Sequence, residues 1–213
     1  MPPVTPTSCA ILGLIAVEEG SAYELVQRME NNYRFFWPRA QSHFYAEIKM
    51  LVGARLATAT DERVGRRPRT VYRITRAGRR AIVDWFDRPA APPTLECEGL
   101  LRIAYADFGS KAQLIDQLKA IRAHAHQVLE VGAQIARDYA AGRVALPRRA
   151  HTSHLAWHFL WTQHQAQADW AAWAIEEVRS WSGTRSSRAT REQARAFFAG
   201  VVERLDLRAP PPR

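Results

Sequence analysis

Cysteine is scarce in this chain. Cys9 and Cys97 stand far apart, and Cys9 lies in an apolar run. That excludes a disulfide framework and suits a reducing compartment. No apolar run approaches the roughly 20 residues that a membrane-spanning helix needs. The stretch "CAILGLIAV" is similar to a signal-peptide core, but the first basic residue is Arg28, so no charged segment precedes it. A cytoplasmic protein is expected. There is no glycine-rich phosphate loop, no zinc-protease His-Glu motif and no nucleophile in a local signature. The chain is therefore not expected to be an enzyme, and no cofactor is implied. Acidic residues are also in the minority, 21 Asp and Glu against 30 Lys and Arg, which leaves a net charge of +9 over 213 residues. Solvation alone requires no such excess, and a polyanionic partner accounts for it.

The positive charge is not spread evenly. From Arg39 to Arg80 there are eleven Lys and Arg and three Asp and Glu. The stretch "RVGRRPRTVYRIT", Arg63 to Thr75, puts five arginines around one glycine and one proline. The patterns around it predict an order of elements. "TPTSCAILGLIAVEEG" opens on capping residues and reads as a helix ending at Gly20. Ser21 and Glu24 form a capping-box pattern for a second helix, with Leu25, Val26 and Met29 on one face. Pro38 breaks that helix. A third helix, roughly 40–54, turns Phe44, Ile48, Leu51 and Val52 inward and leaves Ser42, His43, Ala46 and Lys49 outward. "LATATDERV" and "RTVYRIT" alternate with period two and read as strands joined by a "GRRP" turn. Thr75 caps a fourth helix running to about Asp87. Three helices, a hairpin and a closing helix make a winged helix-turn-helix. In that fold the third helix enters the major groove and the hairpin reaches phosphates. The expected DNA-binding residues are Arg39, Gln41, Ser42, His43, Tyr45 and Lys49 in and before that helix, and Arg66, Arg67 and Arg69 on the wing. Glu47 on the same helix would repel phosphate unless it meets a donor.

Three blocks, "AILGLIAVEEGSAYEL", "FWPRAQSHFYAEIKML" and "RPRTVYRITRAGRRAI", resemble in order and spacing the PadR family of bacterial transcriptional regulators. They cover most of residues 10–82. The resemblance implies a dimeric winged-helix repressor whose DNA binding is relieved by a small effector. It places Tyr23 at the family's second-helix tyrosine, Trp37, Pro38 and Tyr45 at its Trp-Pro and recognition-helix tyrosine, and Arg67, Pro68 and Arg69 at its wing. The chain departs from the family pattern at Ser21-Ala22 (often His-Gly), at Ala46 (often Pro) and at Arg55, where a glycine usually ends the recognition helix. These departures bear on the operator sequence more than on the fold.

The second half has a different character. "DRPAAPPTLE" marks a corner between domains, giving residues 1–90 as the DNA-binding domain and 91–208 as a helical dimerisation and effector domain. The "APPPR" end, 209–213, reads as a disordered tail. The fold class expected is mostly α with a small β-hairpin wing, followed by a coiled-coil-like helical domain. Ser110 opens a long helix in which Leu114, Leu118, Ile121, Ala125, Val128, Gly132, Ile135 and Tyr139 repeat with steps of four and three. That seam fits an intramolecular helical hairpin or a homodimer interface. The interface is favoured, because a winged helix usually needs a partner to bind two half-sites, and Leu114, Leu118, Ile121, Val128 and Ile135 would form it. The following helix, about 152–181, carries Trp157, Trp161, Trp170 and Trp173. Core or interface packing accounts for them, and a pocket for a planar aromatic effector is the sharper alternative. After the polar joint "SGTRSSRAT" comes a last amphipathic helix, "REQARAFFAGVVERLDL".

Two rival functions remain. His151, His154 and His158 fall at helical steps and suggest a metal-responsive regulator, although no Cys and few carboxylates are near them in sequence. An effector-free DNA-binding protein is the other.

Overall fold

The computed structural model describes residues 4–64, 67–143 and 149–206. The chain divides into two units, Met1–Thr94 and Leu95–Arg213. The first is a winged helix, and the regular elements described in the second are all helices.

In the first unit, α1 (Pro6–Val17) starts on Thr5, whose hydroxyl accepts the Ser8 N–H at 3.0 Å, with Pro6 in the first turn where its missing donor costs nothing. α2 (Ala22–Tyr33) opens with the expected capping box of Ser21 and Glu24. α3 (Gln41–Gly53) turns Phe44, Ile48 and Leu51 into the core, and Val52 is only half-buried. There they meet Ile11, Leu12 and Ile15 of α1 and Leu25, Val26 and Met29 of α2. Each of these buried side chains stabilises the unit by about 2 kcal/mol. α4 (Arg76–Phe86) is capped by the Thr75 hydroxyl, which accepts the Gly78 N–H at 3.0 Å.

Two expectations are corrected. Gly20 does not end α1: Glu18 is the C-cap, and the Gly20 carbonyl accepts the Tyr72 N–H at 2.9 Å in a bridge to the hairpin. Pro68 is not in the turn either, because β1 (Ala57–Val64) pairs with β2 (Arg67–Ile74) in a register that sets Pro68 opposite Arg63. The physical reason lies in the ladder. The Tyr72 N–H points away from β1, so Tyr72 and, four residues earlier, Pro68 occupy positions that do not donate to β1. Proline's missing N–H costs the sheet nothing there.

α3 ends in a Schellman turn. The Leu56 N–H bonds the Leu51 carbonyl and the Arg55 N–H bonds that of Val52, both at 2.9 Å, while Arg55 itself adopts φ 59°. This is the position where the family pattern has glycine, and the left-handed backbone explains why.

In the second unit, α5 (Glu98–Ala104) and a single 3-10 turn (Ala106–Phe108) precede α6 (Lys111–Ala140), α7 (Ala150–Ser180) and α8 (Arg188–Asp206). α6 begins with a capping box of Ser110 and Gln113. α6 and α7 form an antiparallel hairpin: Leu114 and Leu118 pack with Ala174, Ile175 and Val178, and Gly132 faces Trp157 and Trp161. α8 starts earlier than expected, since Ser187 and Thr190 bond each other reciprocally through backbone N–H and hydroxyl and draw the end of the polar joint into the helix. The tail 209–213 lies outside the described residues.

Candidate nucleic-acid interface

α3 is fixed from behind. Its buried stripe is anchored in the core, and two further ties hold it and the segment leading into it to the first turn of α1. Glu47 accepts hydrogen bonds from the Thr5 and Ser8 hydroxyls, and the Trp37 indole N–H donates to the Thr7 hydroxyl at 2.9 Å. The carboxylate expected to repel phosphate is thus turned inward, onto a helix N-terminus that favours negative charge.

The outward face carries Gln41, Ser42, His43, Ala46 and Lys49, all exposed. Ser42, Ala46 and Lys49 follow helical steps of four and three, so the ridge is polar, cationic and interrupted by one small residue. Tyr45 is half-buried against the core. Arg39 is exposed just ahead of α3, with its guanidinium 4.7 Å from the Trp37 ring centroid and its Nη1 donating to the Pro38 carbonyl at 2.7 Å. Stacking of this kind restricts the guanidinium without neutralising it.

The wing is less uniform than its sequence. Arg66 lies outside the described residues. Arg67 is the first residue of β2, opposite Val64. Arg69 does not project: its Nη2 lies 2.5 Å from Glu24 Oε2, and its Nε is buried without a hydrogen-bond partner. Arg73 pairs with Glu19 at 2.7 Å and with Glu62 of β1. The Ser21 backbone N–H, with help from the Ser21 hydroxyl, Arg69 and Arg28, holds the Glu24 carboxyl below its ordinary value against the opposing effect of burial. Glu24 was legible as a capping residue, but its pairing with Arg69 carries no sequence signal, since 45 residues separate the two.

The second unit bears on two expectations. Leu114, Leu118 and Val128 are buried within one chain, the first two directly against α7. Ile121 packs on Gly99 so closely that a Cβ there would lie 2.7 Å from its Cδ1, and Ile135 is half-buried. Leu114 and Leu118 are thus covered by the intramolecular hairpin, while Ile121 and Ile135 keep part of their surface. A heptad pattern marks an apolar face and not the identity of what covers it. The four tryptophans do not form one pocket. Trp157 and Trp161 cover Gly132, while Trp170 and Trp173 line a separate groove of about 530 Å³ with Trp181, Leu114, Ile103 and Arg185. His151, His154 and His158 are all exposed, and no group of three metal-ligating side chains comes together among the described residues. No helix among them is long and apolar enough to cross a membrane.

Comparison with known proteins agrees with this geometry. Residues 11–84 match the "Transcriptional regulator PadR-like family", and residues 98–179 match the "Virulence activator alpha C-term" family. The negative transcriptional regulator PadR of Bacillus subtilis is 27% identical over 112 residues, a match spanning 52% of this chain and 62% of that relative. The structure of Bacillus subtilis PadR in complex with operator DNA is similar with a TM-score of 0.70 at 19% identity, covering 80% of this chain and 98% of that one. The same protein in complex with p-coumaric acid gives a TM-score of 0.63 at 18% identity, covering 81% and 98%. The first unit's winged helix and the matched segment converge: the chain carries a domain of the PadR-like family of transcriptional regulators, over residues 11–84.

Proposed function

We propose that this chain is a cytoplasmic, homodimeric, sequence-specific DNA-binding regulator, a repressor released by a small aromatic effector. One observation carries the DNA reading. The exposed ridge of α3, rooted in a buried apolar stripe, adjoins the most basic segment of the chain. On this reading Gln41, Ser42, His43 and Lys49 reach base edges, Tyr45 buttresses the ridge, and Arg39, Arg66 and Arg67 contact phosphates. DNA binding belongs to the first unit, dimerisation and effector binding to the second.

The dimer reading now rests on other surfaces than the α6 seam. Phe197, Phe198 and Val202 of α8 and Leu155 and Phe159 of α7 are all more than half exposed within one chain. Apolar area of that extent is what a second copy covers. The effector reading draws on the groove at Trp170, Trp173 and Trp181, whose volume suits a small ligand, and on a relative crystallised with p-coumaric acid. A ligand releases DNA only through its differential affinity for the two states.

Selection of bound fragments from the source organism's DNA tests the proposal, with planar aromatic acids titrated against the recovered duplexes. Enrichment of one promoter class, released by a ligand whose effect Trp173→Ala abolishes, supports it. Tight duplexes that no ligand releases leave an effector-free DNA-binding protein.

A further inference from the structure

We propose that the wing is held in its DNA-reading position by a two-point clamp on the α1–α2 corner, Arg69 on Glu24 and Arg73 on Glu19, which makes Arg69 a positioning residue and not a phosphate ligand. The consequence for DNA rests on the DNA-binding reading above; the clamp itself does not.

Arg69, Val71 and Arg73 alternate along β2 and so share one face. Val71 on that face is 5% exposed, so the face is directed into the unit. Both arginines meet carboxylates of the corner, and between them the Tyr72 N–H donates to the Gly20 carbonyl. The corner thus lies against β2 like a short third strand, with an ion pair on either side of its one backbone bond. Glu24 is fixed before Arg69 reaches it, because the same Oε2 accepts the Ser21 N–H at 2.8 Å and the Ser21 hydroxyl at 3.1 Å. Arg73 also closes on Glu62, so the clamp takes hold of both strands. The Nε of Arg69 is buried and its Nη2 is held by Glu24, so the guanidinium is committed to the corner although part of the side chain stays exposed. A phosphate ligand presents its donors to solvent instead. Each pair is half-exposed and weak alone, so the hold comes from the ion pairs and the backbone bond acting together.

Arg69→Gln, Glu24→Gln and the double variant test the clamp. Gln at position 24 keeps the capping box while removing the charge. The readouts are hydrogen exchange at the Tyr72 amide, the ratio of affinities for selected and random duplexes, and the slope of log affinity against log salt. The clamp predicts faster Tyr72 exchange in all three variants with unchanged exchange in the α3 core. It predicts a loss of duplex preference of about fivefold in each, the scale of a one-kcal/mol contact. The double variant is no worse than either single one, the salt slope is unchanged, and Arg69→Lys restores most of the preference. Two results overturn it. Opposite effects, with Glu24→Gln raising affinity and Arg69→Gln flattening the slope by about one, mean that Arg69 reaches phosphate. Unchanged Tyr72 exchange means that the pairs do not hold the corner. If the wild-type chain shows no preference for any duplex, the DNA reading fails, and the exchange result still decides the clamp.

Discussion

A Cβ placed on Gly78 would lie 2.1 Å from the carbonyl oxygen of Leu56. That carbonyl also accepts the Thr75 N–H at 3.1 Å and the Thr75 hydroxyl at 3.0 Å. The start of α4, the end of α3 and the root of the wing therefore meet at one oxygen. Gly78→Ala must separate them, and the obstacle is backbone and not a movable side chain. Destabilisation of about 3 kcal/mol or more is expected, in the range of severe core substitutions. Thermal unfolding monitored by circular dichroism checks it.

Arg55 gives the opposite expectation. It holds the left-handed conformation at the end of α3, where a side chain costs about 1–2 kcal/mol and glycine nothing. Part of the gain is offset by glycine's greater freedom in the unfolded chain. Arg55→Gly is expected to stabilise the protein by about 0.5–1 kcal/mol, read as a rise in the midpoint of urea unfolding.

The two candidate dimer surfaces separate cleanly. Leu118 is 1% exposed under α7, so Leu118→Asp buries an unpaired charge inside one chain and should unfold or aggregate the protein. Phe198 is 64% exposed, and Phe198→Asp should leave circular dichroism and monomer stability unchanged while shifting sedimentation from dimer to monomer. A folded, monomeric Leu118→Asp variant would return the interface to the α6 seam.

Acid should loosen the α1–α2 corner. The folded protein holds the Glu24 carboxyl below its ordinary value of 4.5, chiefly through the Ser21 N–H. A depressed carboxyl contributes stability that is complete above its unfolded value and is lost as pH falls through its folded value. Between pH 5 and pH 3, to take a range of about two units around that value, the wild-type melting temperature should fall more steeply than that of Glu24→Gln. Parallel curves would remove Glu24 from the account.

Legibility followed the range of the interaction. The caps at Ser21, Thr75 and Ser110 were plain because each motif lies within four residues of chain. The inward stripe of α3 was plain because helical period alone places Phe44, Ile48 and Leu51. Pro68 misled because its usual association with turns outweighed a ladder position visible only once the register is known. The partner of the α6 seam was not legible, because periodicity does not distinguish a helix of the same chain, which covers Leu114 and Leu118, from one of another. Arg69 looked like a free cation because its partner is 45 residues away. The tryptophans looked like one set because they share a helix, yet the nine residues from Trp161 to Trp170 span about 13 Å of it.

The central claim is that the exposed ridge of α3 reads bases. The most direct test is a selection from random duplexes with the wild-type chain, His43→Ala and Lys49→Ala, with salt dependence measured on each recovered site. The account predicts that each variant changes the recovered sequence at one or two positions per half-site while the salt slope of His43→Ala stays at the wild-type value. Identical recovered sequences from all three proteins would contradict it.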